Sequence, residues 1–402
     1  MKRVVFISHG HPELSKGGAE VASWNLYKFL EAEGYECLYI ARAEGSSHGG
    51  STFSKRGEEI LIHTAMTDWF NLSTSHIKPL FEDLSDLLAH FSPDIVHIHH
   101  YAHIGIEMFP AVKRAVPNAK VIFTLHEFMA MCLHNGQMVK RKTLELCNKS
   151  TASDCHKCFP NHSPGDFFLR KSYVHDQFHF VDEFISPSQF LARRYIDWGI
   201  PEEKMHVIEN ILPDVDVIPA RPLEDGEKRT RLAFFGQVNP YKGIDVLLQA
   251  IVLLPEHIKK KITLDIHGAN FDIQTSDFKE KVDKLLKQVE STVVLRGPYE
   301  AKQLKDRIKD CDWVIIPSIW WENSPVVIQE AINFGRPLIG SNIGGMKEKI
   351  EGKAGLTFEA GSPNALATTI IKAIEPEVFD FWQNNLQPNH KARGSHLKLL
   401  ES

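Results

Sequence analysis

The chain lacks any long apolar segment and any excess of basic residues. No run of about 18 apolar residues occurs, so no membrane-spanning helix is predicted. The N-terminus, MKRVVFISHG, has neither a long apolar region nor a small-residue cleavage site, so we interpret it as the first buried strand of a cytoplasmic protein. The formal net charge of -5 gives no support for nucleic acid as the main partner, because such proteins usually carry a basic excess.

The size and composition of the chain are those of a globular protein. It has 402 residues, of which 43% are hydrophobic and 24% are charged. This length is too great for one ordinary core and fits two domains of about 200 residues each. Disordered and fibrous chains have a different composition, so both classes are excluded.

Short apolar runs rich in β-branched residues alternate with amphipathic stretches along the chain. Near-continuous hydrophobicity is typical of strands covered on both faces, and repeated strand–helix alternation predicts parallel sheets with right-handed crossovers. The helical patterns include residues 19–33, 166–181 and 241–254. The strand candidates are residues 3–8, 36–41, 94–100, 120–126 and 183–188 in the first half, and 205–210, 231–237, 262–268, 292–297, 312–318 and 337–342 in the second.

The texture of the sequence changes near residues 188–215 and divides the strand candidates into two groups. We therefore predict an α/β fold with two doubly wound, Rossmann-like domains. In open sheets of this kind ligands bind outside the carboxyl ends of the strands. The functional groups are expected just after strands, in a cleft between the two domains.

A glycine pair follows the first predicted strand and opens the first predicted helix. Gly17 and Gly18, preceded by Lys16, would permit close backbone approach, and the free amides of a helix N-terminus attract phosphate or another anion. The same glycines could instead only form the turn and cap the helix. The residues alone do not separate these two interpretations.

A lysine follows a strand of the second predicted domain in a similar way. In the segment GQVNPYKG, which begins at Gly236, Lys242 stands at the start of a helix and could neutralise a diphosphate. A surface lysine beside a turn is common, so this pattern is weak by itself.

The strongest functional pattern follows the strand at 312–318. Pro325 suits the first turn of the next helix, with Asn323 or Ser324 as its cap, and the free amides of that helix would point into the cleft. Glu322 lies in the loop, whereas Glu330 lies about a turn and a half inside the helix among apolar neighbours. A carboxylate there needs a polar partner such as a pair of sugar hydroxyls. A solvent-facing glutamate is the alternative.

Histidines cluster near two predicted strand ends of the first domain. His126, at the end of the strand at 120–126, could bind hydroxyls or transfer protons at the edge of the cleft. For any one of these histidines, a structural hydrogen-bonded role is the alternative. The others are His97, His99, His100 and His103.

The order and spacing of these motifs resemble those of retaining GT-B glycosyltransferases. The resemblance is closer to family 4-like bacterial enzymes that assemble surface polysaccharides, and it spans about residues 1–375. It rests on Gly-Gly-Ala-Glu at 17–20, Gly-x5-Lys-Gly at 236–243, the Glu-x7-Glu pair of Glu322 and Glu330, PSQF at 187–190, VIENIL at 207–212 and PSIWWENSPVVIQEAINFGRPLIGSNIGGMKEKI at 317–350.

The resemblance implies a diphosphate site made from both domains. Gly17 and Gly18 would lie against the diphosphate of a sugar nucleotide, and Lys242, in the turn that begins at Gly236, would bind it from the second domain. The N-terminal end of the helix after Glu322 would receive the phosphates through residues Asn323, Ser324, Pro325, Val326 and Val327.

The resemblance also implies three contacts to sugar. Glu330 would hold the ribose hydroxyls of the nucleotide, Glu322 would contact the transferred sugar, and His126 would lie at the reacting centre. One departure matters. The position after Gly236 is commonly arginine in these enzymes and is Gln237 here, which removes one positive charge from the expected phosphate site.

The reaction that the resemblance implies is transfer of a glycosyl group from a UDP- or GDP-sugar to a hydroxyl of a glycan or lipid-linked acceptor, with retained anomeric configuration. A lysine and a helix dipole aimed at the departing diphosphate would lower the barrier, so no catalytic metal is expected. A sugar-nucleotide epimerase of the same fold is one alternative. A catalytically silent relative that acts as a binding scaffold is the other, and only Gln237 favours it.

Four of the six cysteines lie close together in the sequence, with the spacing C-x14-C-x7-C-x2-C. This ligand count, in a polar segment with few apolar residues, predicts a structural zinc site. Two disulfides or an iron–sulfur centre are the alternatives, and His134 or His156 could replace one thiolate. The cysteines concerned are Cys132, Cys147, Cys155 and Cys158.

The predicted domain organisation follows from these assignments. Residues 1–188 would form the acceptor-side domain, with a Cys-rich insert at 130–160, and residues 189–375 the donor-binding domain. Residues 376–402 would cross back to the first domain. The helix at 166–181 is aromatic and basic, and a peripheral contact of this helix with a membrane surface is a further hypothesis.

Overall fold

The computed structural model describes residues 2–15, 17–45, 51–74, 77–388 and 391–402. The chain divides into two compact units, Met1–Leu212 with Lys391–Ser402, and Pro213–His390. Each unit is built on a parallel or almost wholly parallel sheet with helices as crossovers. This confirms the α/β fold class that the strand–helix alternation predicts.

The sheet of the first unit has one antiparallel pair at its edge. Its strands within the described residues are β1 (Arg3–Ser8), β2 (Glu36–Ala43), β3 (Phe53–Arg56), β4 (Glu59–His63), β5 (Ile95–Ile98), β6 (Lys120–Thr124), β7 (Glu183–Ser186) and β8 (Met205–Val207). Their order is β3-β4-β2-β1-β5-β6-β7-β8, and β3 pairs antiparallel with β4. Three adjacent strands, β1, β5 and β6, therefore end at the same edge.

The sheet of the second unit is parallel in all of its described pairings. Its strands are β9 (Arg231–Phe235), β10 (Thr263–His267), β11 (Val293–Gly297), β12 (Trp313–Ile316), β13 (Leu338–Ser341) and β14 (Gly355–Phe358), in the order β11-β10-β9-β12-β13-β14. Every residue of β12 and β13 is buried. Strands β9 and β12, which precede the second-unit motifs, are neighbours.

Helices connect these strands. In the first unit they are α1 (Gly18–Ala32), α2 (Ile77–Phe91), α3 (Met108–Ala115), α4 (Ala152–Cys158), α5 (Pro164–Phe178) and α6 (Gln189–Trp198). In the second they are α7 (Ile244–Leu253), α8 (Glu256–Lys259), α9 (Ser276–Gln288), α10 (Leu304–Ile308), α11 (Val326–Asn333), α12 (Gly344–Ile350), α13 (Pro363–Ala373) and α14 (Pro376–Asn385), and α15 (Lys391–Glu401) follows. None of the helices in the described part of the chain is long and apolar enough to cross a membrane.

The boundary between the units differs from the prediction. The first unit continues beyond residue 188 to Leu212, because β8 pairs with β7 and completes the first sheet. The return to the first unit also starts later than residue 376, since Phe379 of α14 lies in the core of the second unit. α15 belongs to the first unit, where Lys2 Nζ donates to the Leu400 carbonyl at 2.6 Å.

Candidate active-site residues

A buried carboxylate from the first turn of α1 packs against the residue that precedes the helix. Gly17, in an extended conformation, immediately precedes α1, which begins at Gly18; Lys16 lies outside the described residues. A Cβ atom on Gly17 would overlap Oε2 of Glu20, so a larger residue there would displace this carboxylate. Glu20 is 4% exposed and lies 3.4 Å from Nε2 of His9. The glycine therefore has a packing reason, and its contact with a diphosphate stays a prediction.

Imidazoles meet where β1, β5 and β6 end. Nδ1 of His99 lies 3.1 Å from Nε2 of His126, and the rings of His9 and His100 are 4.2 Å apart between centroids. The sheet order places these side chains together, because the three strands are adjacent and parallel. His97 differs from the others, since it bonds Oγ1 of Thr124 at 2.7 Å inside the core and has a structural role.

These imidazoles are neutral at physiological pH. Burial lowers the pKa of His126 to about 3, and the nearby His9 lowers it further. Burial also holds the pKa values of His99 and His100 well below the usual range. A neutral imidazole can donate or accept a hydrogen bond, whereas it carries no charge for an anion. His126 is thus suited to a hydroxyl group more than to a phosphate.

Glu127, next to His126, is a buried acid. Burial raises the pKa of Glu127 to about 8, although its hydrogen bond from the Met129 amide lowers it in part. Its Oε1 lies 3.5 Å from Nε2 of His100. A neutral carboxyl group therefore stands beside the imidazoles at pH 7 and can act as a hydrogen-bond donor.

The turn after β9 is held by specific backbone contacts. Oδ1 of Asn239 accepts hydrogen bonds from the amides of Tyr241 (3.0 Å) and Lys242 (3.1 Å). Gly243 has φ +68°, and a Cβ atom there would overlap the carbonyl oxygen of Pro317. The turn thus packs closely against the end of β12. The side chain of Gln237 is exposed at the start of this turn, just after Gly236.

An ion pair joins Lys242 and Glu322. The sequence resemblance assigns Lys242 to the diphosphate of the donor and Glu322 to its sugar. The Nζ of Lys242 lies 2.5 Å from Oε1 of Glu322, which is 8% exposed. The same oxygen accepts hydrogen bonds from Oγ of Ser318 (2.9 Å) and Nε1 of Trp320 (2.8 Å). The amide of Gly345, in α12, donates to the Glu322 carbonyl at 2.7 Å and fixes the loop.

The Glu322 side chain is ionised in this environment. Burial alone would raise its pKa, but the charge of Lys242 and the hydrogen bonds from Lys242, Trp320 and Ser318 outweigh burial, so that the pKa of Glu322 lies below its usual value. A buried, ionised carboxylate is stable when a cation and hydrogen-bond donors contact it, and it can accept further hydrogen bonds from hydroxyl groups of a ligand.

The helix after Glu322 begins one residue later than predicted. α11 spans Val326–Asn333, and Pro325 is its N-cap residue and not its first helical residue. Asn323 and Ser324 therefore precede the cap, because Pro325 has an extended ψ of 121° that leaves it outside the helix. Val326 and Val327 lie in the first turn of α11, and the contact of their amides with phosphate groups stays a prediction.

Glu330 lies inside α11 and is half-buried. Burial raises the pKa of its carboxyl group to about 7. Within the described residues its carboxylate has no hydrogen-bond partner, while its charge contributes to the raised pKa of Tyr299. The solvent-facing alternative does not account for this burial, and the contact of Glu330 with ribose hydroxyl groups stays a prediction.

The structure does not support the predicted zinc site. The four clustered cysteines line one cavity of about 270 Å³, together with apolar side chains such as Met131 and Phe159. Among the described residues, no group of three or more His, Cys, Asp or Glu side chains is arranged to hold a metal ion, and none of the six cysteines forms a disulfide. Zinc, an iron–sulfur centre and disulfides therefore find no support here.

Three of these thiols are partly buried. Burial raises the pKa of Cys132 to about 11 and also raises those of Cys147 and Cys155. Cys158, the remaining member, is on α4 with Cys155. The alternative ligands His134 and His156 bond backbone carbonyl groups through Nδ1, at 3.0 and 2.7 Å.

Comparison with known families follows the division into two units. Residues 16–213 match the model of Glycosyltransferase Family 4, and residues 220–392 match that of Glycosyl transferases group 1. The chain belongs to the glycosyltransferases. Its match to five curated relatives spans 37% to 56% of their lengths.

Two relatives come from bacterial polysaccharide systems. This glycosyltransferase is 26% identical over 174 residues to the lipopolysaccharide 1,2-N-acetylglucosaminetransferase of Salmonella typhimurium, covering 41% of this chain and 45% of the relative. It is 20% identical over 326 residues to an uncharacterized 42.6 kDa protein of the cps region of Klebsiella pneumoniae, covering 81% of this chain and 75% of that protein.

A solved structure shows the same GT-B fold. Anabaena Alr3699/HepE in complex with UDP matches with a TM-score of 0.66 and 17% identity, covering 100% of both chains. At this identity the likeness concerns the fold, and it confirms the fold class predicted for this glycosyltransferase.

Sequence reasoning missed several polar residues around these sites. The contact between His9 and Glu20 is not evident from the sequence. The sequence indicates only that His9 follows β1 and that Glu20 lies in the first turn of α1. Glu127 adjoins His126 in the sequence, and its burial was not predictable from that position. Trp320 lies within the motif at 317–350, and its contact with Glu322 depends on the folded loop.

Proposed function

We propose that this glycosyltransferase moves a sugar from a nucleoside diphosphate sugar to an acceptor hydroxyl group, with retention of configuration, in the assembly of a bacterial polysaccharide or glycolipid. The observation that carries the proposal is the second-unit arrangement of Lys242, Glu322 and Glu330. It offers a cation, an ionised carboxylate and, inside α11, a carboxyl group that has no hydrogen-bond partner among the described residues. Lys242 and Glu322 follow the neighbouring strands β9 and β12.

The nucleotide fits the part of this site around α11. Glu330 can accept the two ribose hydroxyl groups, because its carboxylate has no partner among the described residues while it is half-buried. The N-terminal turn of α11 carries a partial positive charge that favours phosphate groups. The solved structure of Anabaena Alr3699/HepE is a complex with UDP, which supports a nucleoside diphosphate as the ligand proposed here.

The diphosphate fits between Lys242 and α11. An ammonium group has three hydrogen-bond donors, so Lys242 can hold the Glu322 carboxylate and a phosphate oxygen together. Because Gln237 brings no charge, Lys242 and the helix dipole carry the phosphate interaction in this region. Gly17 and Gly18 of the first unit remain candidates for contact with the same group.

The reaction follows from this placement. The bond between the anomeric carbon and the diphosphate oxygen breaks, and negative charge develops on the departing diphosphate. The acceptor oxygen bonds the anomeric carbon, and the proton of the acceptor hydroxyl group passes to the departing diphosphate. A fixed cation and helix dipole aimed at that charge stabilise the transition state. On this proposal Glu322 binds hydroxyl groups of the transferred sugar, and the neutral His126 contacts the donor sugar near the reacting carbon.

The acceptor is proposed to be a glycan or a lipid-linked sugar. The names of the lipopolysaccharide and cps-region relatives support this class. On α5, Phe168 is 67% and Leu169 is 65% exposed, so this helix presents apolar groups that a membrane surface could cover. Phe167 is buried instead and packs against Phe70 at 5.5 Å between ring centroids.

A turnover experiment tests the proposal. The purified protein is incubated with UDP- and GDP-sugars, first alone and then with a bacterial glycolipid extract, and the released nucleotide and the new glycosidic proton are followed by NMR. We expect nucleotide release and a product with the anomeric configuration of the donor. An inverted product would contradict retention, and no release with any donor would contradict the activity.

The exposed Gln237 favours one second candidate, a catalytically silent scaffold. Such a protein would bind a sugar nucleotide and leave it intact with every acceptor. Replacement of Gln237 by arginine distinguishes the two, because it should raise turnover in an enzyme and create none in a scaffold.

A further inference from the structure

Three donors among the described residues meet on one oxygen of the Glu322 carboxylate. Lys242, Trp320 and Ser318 donate to Oε1 at 2.5, 2.8 and 2.9 Å. No donor among the described residues bonds Oε2, and the Glu322 side chain is 10% exposed. Oε2 is therefore the carboxylate oxygen left for a ligand hydroxyl group.

The donors fix the direction of the carboxylate plane. A carboxylate held by one flexible lysine could rotate about its terminal torsion, which is broad and roughly two-fold. A rigid indole N–H on the same oxygen removes that freedom, because the ring moves only as a whole. Trp320 thus supplies the one bulky, planar donor of the three.

The indole of Trp320 is itself held in place. It stacks on the ring of Tyr241 with 5.5 Å between centroids and an interplanar angle of 29°. The Nζ of Lys242 lies 5.6 Å from the centroid of the Trp320 ring. The amide of Ile319 donates to the Tyr241 carbonyl at 2.9 Å, which ties this loop to the turn after β9.

We propose that Trp320 is a positioning residue that turns Oε2 of Glu322 toward the hydroxyl groups of the donor sugar. Trp320 does not touch the reacting atoms. It acts through the Glu322 carboxylate, to which its indole N–H donates, so it sets recognition of the sugar and leaves recognition of the nucleotide to Lys242 and α11. This inference rests on the proposed function of the same site.

The variant Trp320→Phe tests this role, since it keeps an aromatic ring against Tyr241 and removes the indole N–H. Trp382→Phe is the matched control, because Trp382 packs at the edge of the same unit's core, and no hydrogen bond of its side chain to Glu322 occurs in the described structure. The affinity for free UDP or GDP reports whether the variant is folded.

Two measurements give the outcome. The first is calorimetric affinity for the free nucleotide and for its glucose, galactose, N-acetylglucosamine or mannose conjugate, whichever the wild-type protein binds best. In Trp320→Phe we expect the sugar nucleotide to bind about tenfold more weakly and the free nucleotide to bind as before, since one hydrogen bond to a charged group is lost. The control should match the wild type.

The second measurement is the pKa of Glu322, followed by carboxyl ¹³C NMR and assigned with Glu322→Gln. It needs no ligand. Lys242 is the charged group that faces this carboxylate, and it is present in both proteins. Loss of the indole donor should raise the pKa of Glu322, while Trp382→Phe should leave it unchanged.

The results separate the two proposals. An unchanged pKa of Glu322, or equal loss of nucleotide and sugar-nucleotide affinity, would overturn the positioning role of Trp320. If the wild-type protein binds no sugar nucleotide while Trp320→Phe still raises the pKa of Glu322, the proposed donor function fails and Trp320 orients the carboxylate for another ligand.

Discussion

The ammonium group of Lys242 and the carboxylate of Glu322, 80 residues apart in the chain, meet at 2.5 Å. Two adjacent parallel strands, β9 and β12, bring them together, because each residue follows the carboxyl end of its strand. Both side chains are largely buried, with 24% of the Lys242 side chain and 10% of the Glu322 side chain exposed. A cation and an anion at one strand edge form the basis of the proposed donor site.

The variant Lys242→Ala should weaken the binding of sugar nucleotide and its turnover together. One charge-assisted contact to the diphosphate is lost, which corresponds to about 1.5–3 kcal/mol. Lys281→Ala is the control, since Lys281 pairs with Asp245 on the surface of the same unit. Calorimetry on the folded fraction measures the effect. Equal donor affinity in Lys242→Ala and the control would refute the diphosphate role.

The affinity for sugar nucleotide should rise between pH 6 and pH 8. Burial raises the pKa of Glu330 to about 7, so raising the pH across this range ionises the carboxylate that accepts the ribose hydroxyl groups. If only the ionised form binds ribose, the affinity should increase by about tenfold. A sugar nucleotide is used because its diphosphate does not change charge there. Glu330→Gln should give a flat profile, and a wild-type profile as flat as that of the variant would exclude Glu330 from the contact.

The variant Gly243→Ala should destabilise the second unit more than Gly361→Ala does. Both glycines have positive φ values, +68° and +76°, so both substitutions carry backbone strain of about 1–2 kcal/mol. Only at Gly243 would the new Cβ atom also overlap a backbone oxygen, that of Pro317. Urea unfolding of the two variants measures the difference. Equal stability of the two would show that the turn after β9 can relax away from β12.

Much of the fold follows from the sequence where strands are buried on both faces. β1, β6 and β12 lie within the predicted ranges, because continuous apolar runs mark such strands. The edge pair β3 and β4 was missed, since its residues are partly exposed and carry charges. Sequence texture also assigned β8 to the second group, whereas its partner β7 belongs to the first sheet.

The site was predictable only in part. The sequence singles out Glu322 and Lys242 as candidates because each follows a predicted strand, but their direct contact depends on β9 and β12 being neighbours. The cysteine spacing predicts how many thiols lie near one another. It does not predict which way the thiols point, and in the structure they line a largely apolar cavity. Similarly, nothing in the sequence pairs His9 with Glu20.

The double variant Phe168→Ser with Leu169→Ser should reduce binding to vesicles that contain anionic lipid. Both side chains are about two-thirds exposed on α5, at 67% and 65%, and their burial in a membrane surface would contribute to attachment. Sedimentation with liposomes measures the bound fraction. Phe381→Ser, at an exposed position of the second unit, is the control. No binding of the wild-type protein would exclude a membrane contact of α5.

The most direct test of the account is a thermal-shift and calorimetric screen of the protein against UDP, GDP, ADP and their common sugars. A ligand that binds only the folded state raises the melting temperature by mass action. The account predicts one nucleotide that stabilises the wild-type protein, with a tighter-binding sugar conjugate, and a weaker effect in Lys242→Ala. A folded protein that none of these ligands stabilises would contradict the donor site built from Lys242, Glu322 and Glu330.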